Sequence, residues 1–219
     1  MTNHSIHIDG IDGAGKTAII STLSKEFGFP IYREPGGTPV GEFLRENVLY
    51  SRAYSSTTRR MMFILSRTVL NDHLLTSLDT PIALVDRSAV SSLVYELGID
   101  MEEHIKAYHT FELTFPDIII HVKVDPKVAL QRLAVRKGKG AADEQIFLES
   151  YIDQHLMPSG STVLDMLTLL SDRYDRALLL LSKYHLLKHR VVIPNNGNLD
   201  DAVRDASTFI QRLLAGNLV

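Results

Sequence analysis

Gly10-Ile11-Asp12-Gly13-Ala14-Gly15-Lys16-Thr17 fits the pattern G-x-x-x-x-G-K-[ST] at every fixed position. Glycines in such a loop let backbone N–H groups turn inward around phosphate oxygens. A helix that begins here points its positive end at the same place. Lys16 has the reach for β- and γ-phosphates, and the Thr17 hydroxyl suits Mg²⁺. Gly10, Asp12, Gly13, Ala14, Gly15, Lys16 and Thr17 are therefore the expected triphosphate-binding residues. Asp12 is the odd member, because a carboxylate beside phosphates is unfavourable unless it has a separate task. The loop by itself does not separate a kinase from a GTPase or an ATPase motor.

A loop of this kind works only between a strand and a helix, and the flanking sequence supplies both. Residues 5–9 form a short apolar run, and residues 17–27 carry helical spacing that stops at Gly28. Further strands are expected over 31–33, 82–86, 118–124 and 191–193. Helices are expected over 41–50, 57–78, 89–97, 102–114, 127–136, 143–155, 163–187 and 199–214. On the 57–78 helix, Met62, Leu65, Val69 and Leu70 should share one side. Strands alternating with helices predict an α/β fold: an open, parallel five-stranded sheet of the P-loop NTPase type, with helices on both faces. The 219 residues, without repeat or linker, predict one domain, 1–219, with a mobile lid at about 136–143 where KGKGAA interrupts the helices.

Composition narrows the classes of function. A net charge of -3 argues against a general nucleic-acid or membrane binder. The absence of cysteine excludes disulfides and thiolate metal sites. No apolar run is long enough for a transmembrane helix, and the N-terminus does not read as a secretion signal, so the expected location is the cytoplasm. Size favours a small-molecule kinase over a motor.

Four further segments carry chemistry. Arg33-Glu34-Pro35-Gly36-Gly37-Thr38 is followed by Gly41-Glu42 and Arg45. Phe63 and Arg67 lie one helical turn apart on a common face, where a ring can stack on a base and a guanidinium can donate to its carbonyl. Asp86-Arg87 ends a predicted parallel strand, where ligands collect in open α/β sheets, and Ser91-Ser92 and Tyr95 follow. Pro116-Asp117 leads through a strand to Val124-Asp125-Pro126 and Arg132. Each residue also has a plainer reading. Phe63 could be core, and Arg67 a surface cation. Asp86-Arg87 could be a helix cap with an ion pair. Arg45 could pair with Glu42.

In this order, over roughly residues 5–136, these segments with the phosphate loop resemble the thymidylate kinase family, the REPGGT run being the specific element. The resemblance implies phosphoryl transfer from MgATP to dTMP, giving dTDP and ADP on the way to dTTP. It assigns Asp86, with Thr17, to Mg²⁺ and its waters, and Arg87 to bridging phosphates. It gives Asp12 the sugar 3′-hydroxyl, Arg45 the acceptor phosphate, Phe63, Arg67 and Ser92 the base, and Tyr95 the selection of deoxyribose. Glu34 and Pro35 belong to the same acceptor site, and Arg132 to the adenine side. It also implies a homodimer, expected through the 57–78 helix.

The chain departs from the family at two places. Ser88 stands where an aromatic or histidine is usual, which should loosen packing around Arg87 or alter sugar contacts. The lid lacks the arginine of the D-R-x-E motif, and the phosphate loop has none either, so Arg136, Lys137 and Lys139 are the candidate lid cations, Arg136 first. Residues 150–172 look longer than the family pattern. Rival readings are a kinase for another nucleoside monophosphate or a nucleoside, and a nucleotide-binding regulatory module without kinase activity.

Overall fold

A computed structural model describes residues 4–49, 51, 53–77, 82–110, 113–136 and 157–216. The five strands are β1 (His4–Asp9), β2 (Ile31–Arg33), β3 (Ile82–Asp86), β4 (Ile118–Lys123) and β5 (His189–Pro194). They form one parallel sheet in the order β2-β3-β1-β4-β5. The helices among the described residues are α1 (Lys16–Phe27), α2 (Pro39–Asn47), α3 (Ser56–Ser77), α4 (Ala89–Tyr95), α5 (Met101–Thr110), α6 (Pro126–Val135), α7 (Val163–Lys183) and α8 (Leu199–Leu214).

Burial on both faces follows from the alternation along β3. Ile82 and Leu84 join the main apolar cluster, whereas Ala83 and Val85 meet Leu70 and Leu74 of α3 on the other side. The inner strands are near-continuous runs of Ile, Leu and Val, the pattern of a sheet covered on both faces. β1 is the exception, since His7 and Asp9 alternate with Ile6 and Ile8 and all four are buried. A buried polar residue at a strand end needs partners, and those partners define the site described below.

Several predicted boundaries move, each for a local reason. The helix expected from 41 begins at Pro39, because Thr38 caps it by accepting from Gly41 N and proline suits the first turn. It ends at Asn47. The helix expected to reach 187 stops at Lys183, and α4 and α5 also end before 97 and 114. β5 is twice as long as expected; its edge position leaves alternate residues exposed, which hides it from an apolar-run criterion. The buried stripe of α3 runs through Ser66, Arg67, Leu70 and Leu74, while Leu65 is 54% exposed and does not share it. The expected lid residues beyond 136 and the helix at 143–155 lie outside the described residues. No described helix is long and apolar enough to cross a membrane.

Three imidazoles are sealed in this fold. Burial pushes His7, His104 and His121 each down to about 4, so they are neutral at pH 7. Unfolded histidine titrates near pH 6.5, so between pH 6.5 and 4 the unfolded chain binds more protons than the folded one. This contribution to stability is complete above pH 6.5 and is lost as pH falls toward 4. The unfolding midpoint should therefore drop between pH 7 and 5, and His121→Gln should make that pH dependence shallower. An identical slope in the variant would show that His121 titrates in the folded protein as it does in the unfolded chain.

Candidate active site

The phosphate loop joins β1 to α1 and is held from below by its neighbours. Gly10 has φ 151°, and a Cβ there would come within 2.4 Å of the Val122 carbonyl oxygen, so the loop's first residue has no room for a side chain. On the other flank, Asn195 Nδ2 donates to the Ala14 carbonyl at 2.8 Å. Lys16 is buried, and its ammonium donates to the Gly10 and Ile11 carbonyls, each at 2.9 Å. Burial, then the nearby Arg87 charge, lowers its proton affinity. Thr17 is exposed at the first turn of α1. Arg132, half-buried on α6, reaches over the loop with Nη1 3.5 Å from the Gly13 carbonyl. Arg136 caps the exposed end of the same helix.

β3 lies beside β1 with Asp86 opposite Ile8, so the Asp86-Arg87 turn emerges next to the loop. Arg87 adopts φ 74°, a left-handed conformation that a non-glycine residue holds only under constraint. The constraints are visible. Arg87 N donates to the Ile8 carbonyl at 2.9 Å, and His7 Nδ1 lies 3.1 Å from the Arg87 carbonyl. A carbonyl only accepts, so His7 carries its proton on Nδ1, and its Nε2, 3.0 Å from Ser5 Oγ, accepts. The Arg87 guanidinium pairs with the Asp12 carboxylate and lies 5.1 Å over the Tyr95 ring. Tyr95 donates to the other Asp12 oxygen at 2.8 Å. Burial opposes the Arg87 charge, but Asp12 and the other acceptors around it raise its proton affinity well above the ordinary value. Burial likewise keeps the Tyr95 phenol neutral.

Asp86 Oδ1 is buried and has no hydrogen-bond partner among the described residues. An orphaned carboxylate oxygen is the kind of donor a cation would satisfy. No group of three or more His, Cys, Asp or Glu able to hold a metal occurs among the described residues. The donor set thus fits Mg²⁺ held by Asp86 and Thr17 together with phosphate oxygens and waters, rather than by a protein cage.

The REPGGT turn packs against the start of α2. A Cβ on Gly41 would lie 2.6 Å from Gly36 backbone atoms, so only glycine lets the helix approach this closely. Glu42 accepts from Gly37 N at 3.0 Å, and Arg45 Nη1 donates to the Pro35 carbonyl at 3.2 Å. Glu34 is buried, with its backbone N donating to the Asp86 carbonyl at 2.9 Å, and it faces Arg67 on α3. Arg67 Nε lies 2.5 Å from Glu34 Oε1, as an ion pair rather than a well-directed hydrogen bond. Its other nitrogens donate to the Tyr108 hydroxyl, to Ser92 Oγ at 3.2 Å and to the Ser88 carbonyl at 3.5 Å. Burial raises the Glu34 carboxyl above its usual range, and Arg67 opposes the rise. Phe63 stands half-buried one turn before Arg67.

The structure brings Asp12, Lys16, Arg87 and Tyr95 together, and likewise Glu34, Arg67 and Ser92. Arg67 is a buried ion-pair member rather than a surface cation, and Arg45 bonds Pro35. Ser88, expected to loosen packing around Arg87 or alter sugar contacts, sits in a hydrogen-bonded position. It is fully buried, donates to Asp9 Oδ2 at 2.6 Å and caps α4 by accepting from Val90 N. The sequence reading missed Asp9, Tyr108, Tyr174 and Asn195. Asp9 carried one usable signal, an acid at the end of an otherwise apolar strand.

A family model described as thymidylate kinase matches residues 8–158. A thymidylate kinase of Thermoanaerobacter is 32% identical over 156 residues, which span 65% of this chain and 74% of the relative. The solved thymidylate kinase of Candida albicans aligns with a TM-score of 0.65 at 17% identity, over 97% of this chain and 93% of its own. A deoxyadenosine kinase of M. mycoides, solved with dCMP and dCDP as products, aligns with a TM-score of 0.61 at 17% identity, over 95% and 99%. The two solved structures share the fold; the family match and the Thermoanaerobacter relative go further, and the chain belongs to the thymidylate kinase family.

Proposed function

We propose that the protein transfers the γ-phosphoryl group of MgATP to dTMP, giving dTDP and ADP. The observation that carries the reading is the adjacency of the phosphate loop, the Asp86-Arg87 turn and the Glu34–Arg67 pair at one end of the sheet. An acceptor-phosphate oxygen forms the new bond to phosphorus while the bond to the β–γ bridging oxygen breaks, and that oxygen leaves with ADP. The acceptor oxygen is already an anion, so no strong general base is needed. Catalysis is then positioning and charge stabilisation.

In this reading Lys16 keeps one ammonium hydrogen for a phosphate oxygen after its two bonds to loop carbonyls. Arg87, held by Asp12, offsets charge on the moving group. Asp12 and Tyr95 face the sugar, Arg45 and Pro35 the acceptor phosphate, and Arg67 with Ser92 the base edge. Phe63 supplies the stacking surface, and Glu34 fixes Arg67. Asp86 and Thr17 would hold Mg²⁺, which would neutralise phosphate charge. Arg132 covers the loop from the adenine side, and Arg136, at the end of α6, is the lid cation.

ADP release measured against each nucleoside monophosphate and deoxynucleoside in turn should be fastest with dTMP. Phe63→Ala should raise the KM for dTMP ten-fold or more and leave that for ATP nearly unchanged, since stacking on one base contributes ~1–3 kcal/mol. Faster turnover of dCMP, dAMP or a deoxynucleoside would reassign the substrate, and equal effects on both KM values would make Phe63 a packing residue. ATP binding without acceptor-dependent ADP release would favour the regulatory reading.

Assembly belongs to the same reading. Met61 and Leu65 on α3 are 56% and 54% exposed, and Phe43 on the adjoining α2 is 55% exposed. Exposed apolar side chains of this kind suit a two-fold interface. Sedimentation should give a homodimer for the wild type and a monomer for Leu65→Glu. A wild-type monomer mass independent of concentration would rule the dimer out.

A further inference from the structure

The Asp9 carboxylate is wholly buried, just ahead of the phosphate loop, and its partners come from three parts of the chain. Oδ1 accepts from Gly10 N at 2.9 Å and from the Tyr174 hydroxyl at 2.6 Å. Ser91 Oγ lies 2.9 Å from the same oxygen and 3.0 Å from the Tyr174 hydroxyl, so its single hydrogen serves one or the other. Oδ2 accepts from Ser88 Oγ at 2.6 Å. A buried carboxylate without such donors would be costly, and with them it becomes a fixed node. Gly10 opens the loop, Ser88 follows Arg87 directly, and Ser91 Oγ is 3.5 Å from Arg87 Nη1. The node therefore ties the loop to the strained arginine turn.

Tyr174 brings α7 into this node. Its ring is fully buried and stacks on His121 at 5.1 Å, so phenylalanine would fill the same space. Among the described residues, the hydroxyl's hydrogen-bonding contacts are with Asp9 and Ser91. The preceding residue grips the other end of α4: Arg173 donates to the Leu93 and Val94 carbonyls, each at 2.6 Å, and to the Glu96 carbonyl at 2.9 Å. Two consecutive α7 residues thus fix both ends of the helix that carries Ser92 and Tyr95.

We propose that Tyr174 is a positioning residue for phosphoryl transfer, acting through the Asp9 carboxylate to hold the root of the phosphate loop and the Arg87 turn in register. The rate readout rests on the kinase reading above; the binding readout rests only on the phosphate loop. A left-handed arginine persists where its surroundings over-determine it, and a small displacement of an oriented group is expensive in rate. Tyr174→Phe should lower kcat about ten-fold and weaken calorimetric MgATP binding about five-fold. The KM for dTMP should stay within about two-fold, because the tyrosine's partners do not include Phe63, Arg67 or Ser92. In an Asp9→Asn background the same substitution should cost much less, since both changes act on one node.

A lower unfolding midpoint with unchanged kcat and MgATP affinity would make the hydroxyl merely structural and overturn the proposal. An equal penalty in both backgrounds would overturn the route through Asp9. Should the wild type release no ADP with any acceptor, the kinase reading fails, and the MgATP affinities of wild type and Tyr174→Phe, with and without Asp9→Asn, still decide the proposal.

Discussion

Parallel pairing of β1 with β3, in the register that sets Ile8 opposite Asp86, brings two chain reversals from distant parts of the sequence to the same edge. One reversal is the phosphate loop and the other is the Asp86-Arg87 turn. The backbone contact between Arg87 N and the Ile8 carbonyl marks where they join. β2 then adds Glu34 beside Asp86, because Arg33 pairs with Asp86 in the next register. A slip of one residue would turn Asp86 away from its present neighbours, since strand side chains alternate between faces. The geometry of the candidate site is thus a property of strand register before it is a property of any side chain.

That arrangement concentrates buried charge. Asp9, Asp12 and Glu34 are at most 5% exposed, with Lys16 and Arg67 at 8%, and Arg87 joins them through Asp12. Isolated charges at this depth would be strongly unfavourable, and replacement by apolar residues would often stabilise a fold. Here each carboxylate meets a cation or a set of hydroxyl and amide donors. Asp12 answers Arg87, Glu34 answers Arg67, and Asp9 accepts hydrogen bonds from neutral donors. The gain is orientation, because dipoles and charges fixed before the reaction need not reorganise during it. Asp86 Oδ1 and Glu34 Oε2, which take no hydrogen bond among the described residues, are the points at which this balance is left incomplete.

The legible parts of the molecule were those written locally. The loop, the Asp86-Arg87 turn, the alternation of strands with helices and the REPGGT run each depend on residues close in sequence. Helix ends were less legible, although the Thr38-Pro39 cap of α2 was a local signal that went unused. The Asp9 node could not be read, because Tyr174 lies 165 residues from Asp9 and meets it only after the parallel sheet has formed. Glu34 and Arg67 were each named, but their pairing across β2 and α3 is a tertiary fact. The Ser88 bond was hidden for a related reason: its hydroxyl reaches a carboxylate on the neighbouring strand.

In the proposed reaction the phosphoryl group passes directly between two nucleotides held at one end of the sheet. Incubation with ATP labelled at the γ-phosphate, together with dTMP, tests it most directly. The label should appear in the β-phosphate of dTDP, with little in free inorganic phosphate. Label released only as inorganic phosphate, with dTMP unchanged, would contradict the account.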